Sequence, residues 1–240
     1  MTARGKSKSE GRLFAIGDIH GCPDELAAIF KAIAPVAGDT IVFVGDYVDR
    51  GPSARDVIDL ALDLERTQAA ECVFLKGNHE DMMMSFLGLP GNYGESFLFN
   101  GGIATLDSYG VHEEDLEDAF ARLPDAHLSF MNRLATSYLR PPYLFVHAGI
   151  MPTRQLEEQS TEDMLWIRQE FIFNPHKIDA TVVFGHTPMR GVMIDLPYKL
   201  GIDTGLVYGG KLTCVEFTEG VLYQVQRGHK SVKTRSIPLR

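Results

Sequence analysis

The sequence predicts an α/β fold built as a single domain. Short apolar runs alternate with amphipathic stretches, helical segments join the first three runs, and closely spaced strands follow in the last part of the chain. Strands that alternate with helices pair in parallel and carry the helices on the sheet. At about 150 residues per domain, 240 residues allow one domain or two, but no repeat or linker divides the chain. We expect one domain over residues 12–226, between a disordered basic tail at 1–11 and a solvated basic tail at 227–240.

Five buried strands are predicted from runs of branched and aromatic residues. They lie at 13–16, 41–44, 72–75, 143–146 and 181–184. Helices are predicted at 24–34, which has one apolar face, and at 53–66, which begins with a partial capping signal. We expect the first three strands to pair in parallel.

The middle of the chain, at about 82–134, has no strand-like run and is predicted to be a mostly helical insert broken by glycines. Three short strands at 192–194, 211–217 and 221–226 are expected to form an antiparallel addition, with a turn at Glu219 and Gly220. The histidines away from strand ends are expected to face solvent: His112, His127, His176 and His229.

The charge balance limits the function classes. With 23 Lys and Arg against 32 Asp and Glu, the net charge of −9 argues against a domain built chiefly to hold nucleic acid. A phosphorylated substrate remains open, because bound metal ions add charge that composition does not count. No run of about 18 apolar residues predicts a membrane span, and no signal peptide is visible, so we expect a cytoplasmic protein. Three widely spaced cysteines fit reduced, buried thiols: Cys22, Cys72 and Cys214.

Each of the five buried strands ends in a side chain that can bind a metal ion. In chain order these are Asp18 and His20, Asp46, Asn78, His147, and His186. In four of the five cases a glycine comes directly before the ligand, where the lack of a Cβ allows a sharp turn or a close approach. Ligands in open α/β sheets lie beyond the carboxyl ends of the strands, so we expect all five sets to converge on one edge.

The ligand types predict a pair of metal ions. Oxygen and nitrogen donors without cysteine suit Mn²⁺, our first choice, or Fe or Zn²⁺. Six candidates are too many for one tetrahedral site, whereas a carboxylate can bridge two ions about 3.5–4 Å apart. The first ion is therefore assigned to Asp18, His20 and Asp46. The second is assigned to Asp46, Asn78, His147 and His186. Two such ions would leave an excess of positive charge that attracts an anion, and Arg50 beside them has the planar fork that matches phosphate oxygens.

Five motifs together resemble the phosphoprotein-phosphatase family of calcineurin-like metallophosphoesterases, in the bacterial and phage type of serine/threonine protein phosphatase. They are GDIHG (17–21), GDYVDRG (45–51), GNHE (77–80), HAG (147–149) and GH (185–186), in the family's order. The resemblance implies a four-layer αββα sandwich with mixed sheets and two divalent metal ions. It also implies phosphomonoester hydrolysis by a hydroxide that bridges the metals.

The resemblance also implies roles for individual residues. The family's metal ligands fall on the same six side chains that the strand ends supply. Its general acid falls on His79, oriented by Asp49. Substrate-binding groups fall on Arg50, Asn78 and Arg168, the last of which follows Trp166 in a looser context.

One departure and two alternatives accompany the resemblance. Residues 201–210 replace the Ser-Ala-Pro-Asn-Tyr loop of the eukaryotic enzymes, so the roles of Asp203 and Tyr208 stay open. Symmetrical dinucleoside tetraphosphate (Ap4A) hydrolases share a GDxHGC motif, which Cys22 completes here, although Asp49 and Glu80 favour a protein phosphatase. A non-catalytic binding module is disfavoured because every predicted ligand is present. The expected partner is a phosphorylated protein or small phosphoester, and the oligomeric state is not indicated.

Overall fold

The computed structural model of the protein describes residues 11–67 and 69–239, except for the side chains of residues 113 and 114. The predicted N-terminal tail therefore lies almost entirely outside the described residues. No helix in the described ranges is both long and apolar enough to cross a membrane. The cysteines are free, with Cys22 and Cys214 buried as expected and Cys72 half-buried.

The first half of the chain alternates strands and helices as predicted. The elements are β1 (Leu13–Ile16), α1 (Pro23–Ile33), β2 (Thr40–Phe43), α2 (Ala54–Thr67), β3 (Glu71–Phe74) and α3 (Asn78–Phe86). The helical insert continues with α4 (Gly102–Ser108), α5 (Ala119–Arg122) and α6 (Asp125–Asn132). Short 3₁₀ turns at Gly94–Ser96, Leu98–Asn100 and Glu113–Asp118 connect these helices, where glycines and acidic residues interrupt the helical pattern.

The second half contains most of the remaining strands. The elements are β4 (Ser137–Arg140), β5 (Tyr143–Val146), α7 (Thr161–Trp166), α8 (Gln169–Ile172), β6 (Thr181–Phe184), β7 (Met193–Asp195), β8 (Lys199–Gly201), β9 (Lys211–Glu216), β10 (Val221–Gln226) and β11 (Val232–Ser236). Two further 3₁₀ turns lie at Leu156–Glu158 and Leu206–Tyr208.

The strands form two mixed sheets. The first has the order β11-β10-β9-β1-β2-β3, and the second has the order β4-β5-β6-β8-β7. The parallel pairing of β1, β2 and β3 and the antiparallel pairing of β9 and β10 confirm the prediction. Four of the strands, β1, β2, β5 and β6, are buried along their whole length, which explains why they read as continuous apolar runs.

The two sheets pack face to face, and helices cover both outer faces. Ala15 and Val42 of the first sheet share a core cluster with Phe145, Val183 and Leu200 of the second. Apolar side chains of α1, α2 and the insert cover the outer face of the first sheet, and α7 and α8 contribute to the core on the second. These four layers confirm the αββα sandwich as a single domain.

Three expectations differ from the structure. The five strand ends do not belong to one sheet edge, because β1, β2 and β3 lie in the first sheet whereas β5 and β6 lie in the second. The segment expected as a solvated tail forms β11, whose backbone pairs with β10 although its side chains are mostly exposed. The strands β4 and β8 were missed, because each carries a charged residue and neither forms a continuous run of apolar residues.

Two of the histidines expected to face solvent are buried. His127 bridges α6 to α2: its Nδ1 lies 2.8 Å from the Tyr109 hydroxyl and its Nε2 lies 3.0 Å from Asp59 Oδ1. His176 places Nε2 2.8 Å from the carbonyl oxygen of Tyr198. Each ring finds a hydrogen-bond partner from a distant part of the chain, which a local sequence pattern does not reveal.

Candidate active site

The ends of strands from both sheets meet at one place in the fold. The six predicted ligands and His79 are all buried there. The residues come from positions as far apart as 18 and 186, and the backbone N–H of His186 donates to Asp18 Oδ2 at 2.8 Å. The sandwich therefore brings together every side chain that the strand-end pattern singled out as a metal ligand.

Asp46 lies between two groups of possible metal ligands. The ligand atoms of His20, Asp46 and His79 lie within 4.8 Å of one another, and so do those of Asp46, His147 and His186. Asp46 Oδ2 is 3.4 Å from His20 Nε2, and Asp46 Oδ1 is 3.4 Å from His147 Nε2. One carboxylate thus presents one oxygen to each group, the arrangement that a carboxylate bridging two ions requires.

Hydrogen bonds orient two of the histidine rings toward Asp46. His20 Nδ1 lies 2.8 Å from the carbonyl oxygen of Val48, and His147 Nδ1 lies 2.9 Å from that of Val44. Because a carbonyl oxygen only accepts, Nδ1 carries the proton in both rings and the lone pair is on Nε2, facing Asp46. Backbone carbonyls orient metal-binding histidines in this way in many proteins.

Asn78, Asp18 and His186 complete the set of predicted ligands. Asn78 Oδ1 lies 2.9 Å from His147 Nε2 and 2.8 Å from His186 Nδ1. Among the described residues, Asp18 Oδ1 and His186 Nε2 are buried without a hydrogen-bond partner. Such atoms are costly to bury unless something satisfies them. A carboxylate oxygen and an imidazole nitrogen that lack partners, next to other ligands, are suited to bind a divalent cation. Asp18 itself belongs to neither of the two close groups. In the first group His79 stands where Asp18 was predicted.

The electrostatics of the cluster also favour a cation. Burial raises the pKa of Asp18 well above its usual range, with Asp203 and Asp46 adding to the effect, and burial raises the pKa of Asp203 to about 6. Burial lowers the pKa of His20 to about 3. Burial also opposes ionisation of Asp46, but its interactions with His147 and three other histidines outweigh it and lower the pKa of Asp46. Neutral imidazoles around crowded carboxylates are the state that binds divalent ions.

Two of the glycines before the ligands make room for carboxylates that follow other strands. A Cβ on Gly185 would lie 1.9 Å from Asp18 Oδ1, and a Cβ on Gly77 would lie 2.1 Å from Asp46 Oδ1. These two glycines therefore permit a close approach, as predicted, and the group that approaches is a carboxylate. Each glycine lies directly against a ligand that follows another strand.

The backbone around the site is held in an uncommon conformation. Seven non-glycine residues in the described part of the chain have positive φ, and five of them are predicted site residues: His20, Asp46, Asp49, Arg50 and His186. Each such residue costs about 1–2 kcal/mol relative to an ordinary conformation. Backbone strain of this kind gathers at functional sites, where the surrounding structure holds the side chains in a required direction.

His79 and Asp49 form a buried pair beside the ligands. His79 Nδ1 lies 2.6 Å from Asp49 Oδ2. Thr105, from the helical insert, donates its hydroxyl to Asp49 Oδ1 at 2.7 Å and accepts the backbone N–H of Asp49 at 2.8 Å. Burial lowers the pKa of His79 to about 4 and raises the pKa of Asp49, against which the hydrogen bond from Thr105 acts. Asp49 is thus fixed from both sides and holds the ring of His79.

Glu80 holds the loop after β2 in place. Its two carboxylate oxygens accept backbone N–H groups from Asp46 at 3.0 Å, Tyr47 at 2.8 Å, Val48 at 3.2 Å and Gly77 at 2.8 Å. Glu80 was predicted only as part of the GNHE motif and as a residue that favours a protein phosphatase. Its position three residues after Gly77, as in a capping box, was the available signal for its structural role. Thr105 had no such signal, because it lies 56 residues from Asp49.

Two arginines lie at the open side of the cluster. Arg50 Nη1 is 2.9 Å from His20 Nε2, and the guanidinium carbon of Arg50 is 5.5 Å from the centre of the Tyr208 ring. Arg168 donates from Nη1 to the carbonyl oxygen of His186 at 3.1 Å and to Thr187 Oγ1 at 3.3 Å. Both predicted phosphate-binding arginines therefore border the cluster, and Tyr208 lies next to one of them.

The fold and the site define a phosphoester hydrolase that depends on divalent metals. The chain belongs to the calcineurin-like phosphoesterase family, which it matches over residues 11–226. It is accordingly an enzyme that hydrolyses phosphoesters.

Individual relatives divide between two substrate classes. The chain is 27% identical to the asymmetrical bis(5'-nucleosyl)-tetraphosphatase PrpE of Anoxybacillus flavithermus, over 85% of this chain and 89% of that protein. It is 30% identical to serine/threonine-protein phosphatase 1 of Salmonella typhimurium, over 87% of this chain and 93% of that protein. It also resembles a crystal structure of a candidate diadenosine tetraphosphatase, with a TM-score of 0.69 and 25% identity, over 92% of this chain and 95% of that one.

Proposed function

We propose that this enzyme hydrolyses phosphomonoesters of serine and threonine in proteins. The observation that carries the proposal is the buried pair of His79 and Asp49, with Nδ1 and Oδ2 2.6 Å apart. The alkoxide that leaves from phosphoserine is a strong base and needs a proton as the bond to phosphorus breaks. A positioned acid contributes about 10²- to 10⁴-fold to such a step. The 30% identity to a serine/threonine-protein phosphatase supports the same class.

The predicted ligands would hold two divalent ions, with Mn²⁺ as our first choice. The first would be held by Asp18, His20 and Asp46. The second would be held by Asp46, Asn78, His147 and His186. Two observations support this assignment. Asp18 Oδ1 and His186 Nε2 are buried without a hydrogen-bond partner, and Asp46 belongs to both close groups of ligand atoms. When bound, such ions make a water molecule acidic enough to attack phosphorus and offset the charge of the phosphoryl group.

The remaining residues of the site bind the substrate and move a proton. Arg50, Arg168 and Asn78 bind phosphoryl oxygens, for which the guanidinium fork is suited. In its doubly protonated form His79 delivers the proton on Nε2 to the departing alkoxide and becomes neutral, the form that burial favours. Asp49 accepts from Nδ1 and keeps the ring pointed at the leaving group, and Thr105 keeps Asp49 in place.

A dinucleoside tetraphosphatase is the second candidate. Several relatives support it, because the PrpE proteins and the candidate diadenosine tetraphosphatase cover most of this chain. The named PrpE relatives are asymmetrical hydrolases, whereas the motif-based alternative is the symmetrical kind. A nucleotide leaves as a phosphate anion that barely needs a proton, so the site of such an enzyme has less use for the pair of His79 and Asp49.

A comparison of leaving groups tests the proposal. We expect His79→Asn to slow hydrolysis of a phosphoserine peptide by about 10²-fold or more. Hydrolysis of p-nitrophenyl phosphate should slow far less, because its leaving group is weakly basic. His112→Asn, at an exposed histidine, is the matched control. Equal slowing of both substrates would contradict the acid role. Turnover of diadenosine tetraphosphate without turnover of phosphopeptides by the native protein would contradict the substrate class.

A further inference from the structure

A groove leads away from the candidate active site along the first sheet. It consists of two cavities, of about 450 Å³ and about 620 Å³, whose walls share Arg190, Lys211 and Gln226. Tyr208 lines the smaller cavity and its ring also lies 5.5 Å from the guanidinium carbon of Arg50. The groove therefore begins at the end of the site where phosphate is proposed to bind.

The larger cavity lies on the side of β9, β10 and β11 that continues into the core between the sheets. Lys233 pairs across the strands with Gln224, and Arg235 pairs with Leu222. Cross-strand partners point to the same face, and so do alternate residues of a strand. Leu222 belongs to the core between the two sheets, so the two cations stand on the core-facing side. At such positions a closed sandwich carries apolar residues, whereas here the sheet is open and carries charge.

The charges of this groove are unopposed. Arg190, Lys211, Lys233 and Arg235 line it, and the side chain of none of them makes a hydrogen bond or ion pair with another described residue. Among the described residues that line the two cavities there is no aspartate or glutamate. In a chain with a net charge of −9, four unpaired cations in one groove create a local attraction for anions. We call this feature the cationic groove.

We propose that the cationic groove binds an acidic segment of the phosphoprotein, next to the phosphorylated residue that enters the site. This inference rests on the proposed function and names a preference among its substrates. The cations extend across three neighbouring strands, about 10 Å, which matches carboxylates spaced along an extended peptide. Among the described residues that line the larger cavity there is no phenylalanine, tyrosine or tryptophan, and the imidazole of His229 is the one ring there on which a nucleobase could stack. An acidic peptide therefore fits better than the second nucleoside of a dinucleotide.

Charge reversal at the far end of the groove tests the proposal. The variant is Lys233→Glu with Arg235→Glu, two exposed positions on the edge strand β11. The control is Lys31→Glu with Lys177→Glu, which makes the same change of charge at exposed cations elsewhere. The substrates are two phosphoserine peptides that differ only in having glutamate or glutamine on both sides of the phosphoserine. A fluorescein-labelled peptide of six glutamates measures binding by anisotropy, without any reaction.

We expect the native protein to hydrolyse the glutamate peptide with a kcat/KM about tenfold above that of the glutamine peptide at low salt. An exposed ion pair contributes about 1.5- to 5-fold, and several act together here. The ratio should fall close to one in the double variant and in high salt, and it should persist in the control. The labelled peptide should bind the native protein and the control more tightly than the double variant.

Three results would overturn the inference. The ratio could stay unchanged in the double variant, the labelled peptide could bind all three proteins equally, or the double variant could lose turnover of diadenosine tetraphosphate alone. The last result would assign the groove to a dinucleotide. Failure of the proposed function gives a different result: the native protein would hydrolyse neither phosphopeptide. The anisotropy measurement would still show whether the groove binds acidic peptides.

Discussion

Replacing Gly185 with alanine tests how closely the two sheets bring their side chains together at the site. The new Cβ would lie 1.9 Å from Asp18 Oδ1, 3.0 Å from Asp18 Cγ and 2.9 Å from Val44 Cγ2. Contacts below about 3 Å are strongly repulsive, so the Asp18 carboxylate must move by about 1.1 Å. That movement pulls Asp18 Oδ2 away from the N–H of His186, with which it makes a 2.8 Å hydrogen bond.

Two quantities should change together in Gly185→Ala. Overpacking of a filled region costs about 1–3 kcal/mol, which lowers the melting temperature of a chain of this size by roughly 5 °C in the presence of EDTA. Displacement of a ligand should weaken binding of Mn²⁺ by about 10- to 100-fold in a calorimetric titration. Gly191→Ala is the matched control, because its Cβ would meet nothing within 4 Å. Native affinity for Mn²⁺ in Gly185→Ala would refute the assignment of Asp18 as a ligand.

Two further substitutions test the residues that support the site. Glu80→Gln should lower the free energy of unfolding by about 2–4 kcal/mol in urea. The two carboxylate oxygens of Glu80 receive four backbone N–H groups, and glutamine keeps only one oxygen to accept them. No change beyond that of the exposed control Glu219→Gln would contradict this. Thr105→Val should lower kcat for phosphoserine peptides by about tenfold with little change in KM or in turnover of p-nitrophenyl phosphate, because it releases Asp49. Equal losses on both substrates, or equal losses in Thr218→Val, would show that Thr105 does not position the acid.

Much of the fold could be predicted because burial leaves a local pattern. β1, β2, β5 and β6 are covered on both faces, and each therefore appears as an uninterrupted apolar run. β11 leaves no such pattern, since four of its five side chains are exposed and its backbone pairing with β10 holds it. The division of the strands between two sheets depends on contacts between distant residues, so the expectation of a single edge was wrong.

The site shows the same division between local and distant information. A metal-capable residue after a glycine at the end of a buried strand is a local pattern, and the structure brings together all the residues that this pattern selected. Thr105 contacts Asp49 across 56 residues, and nothing near Thr105 in the sequence indicates it. The cationic groove was also not foreseen, because its members come from separate strands and the loop before β7 and are adjacent only in the folded sheet.

Electron paramagnetic resonance of the Mn²⁺-loaded protein tests whether two metal ions share the carboxylate of Asp46. We expect two Mn²⁺ ions per chain with the spectrum of a spin-coupled pair, and loss of that coupling in Asp46→Asn. A single ion per chain, or two ions whose spins do not interact in the native protein, would contradict it.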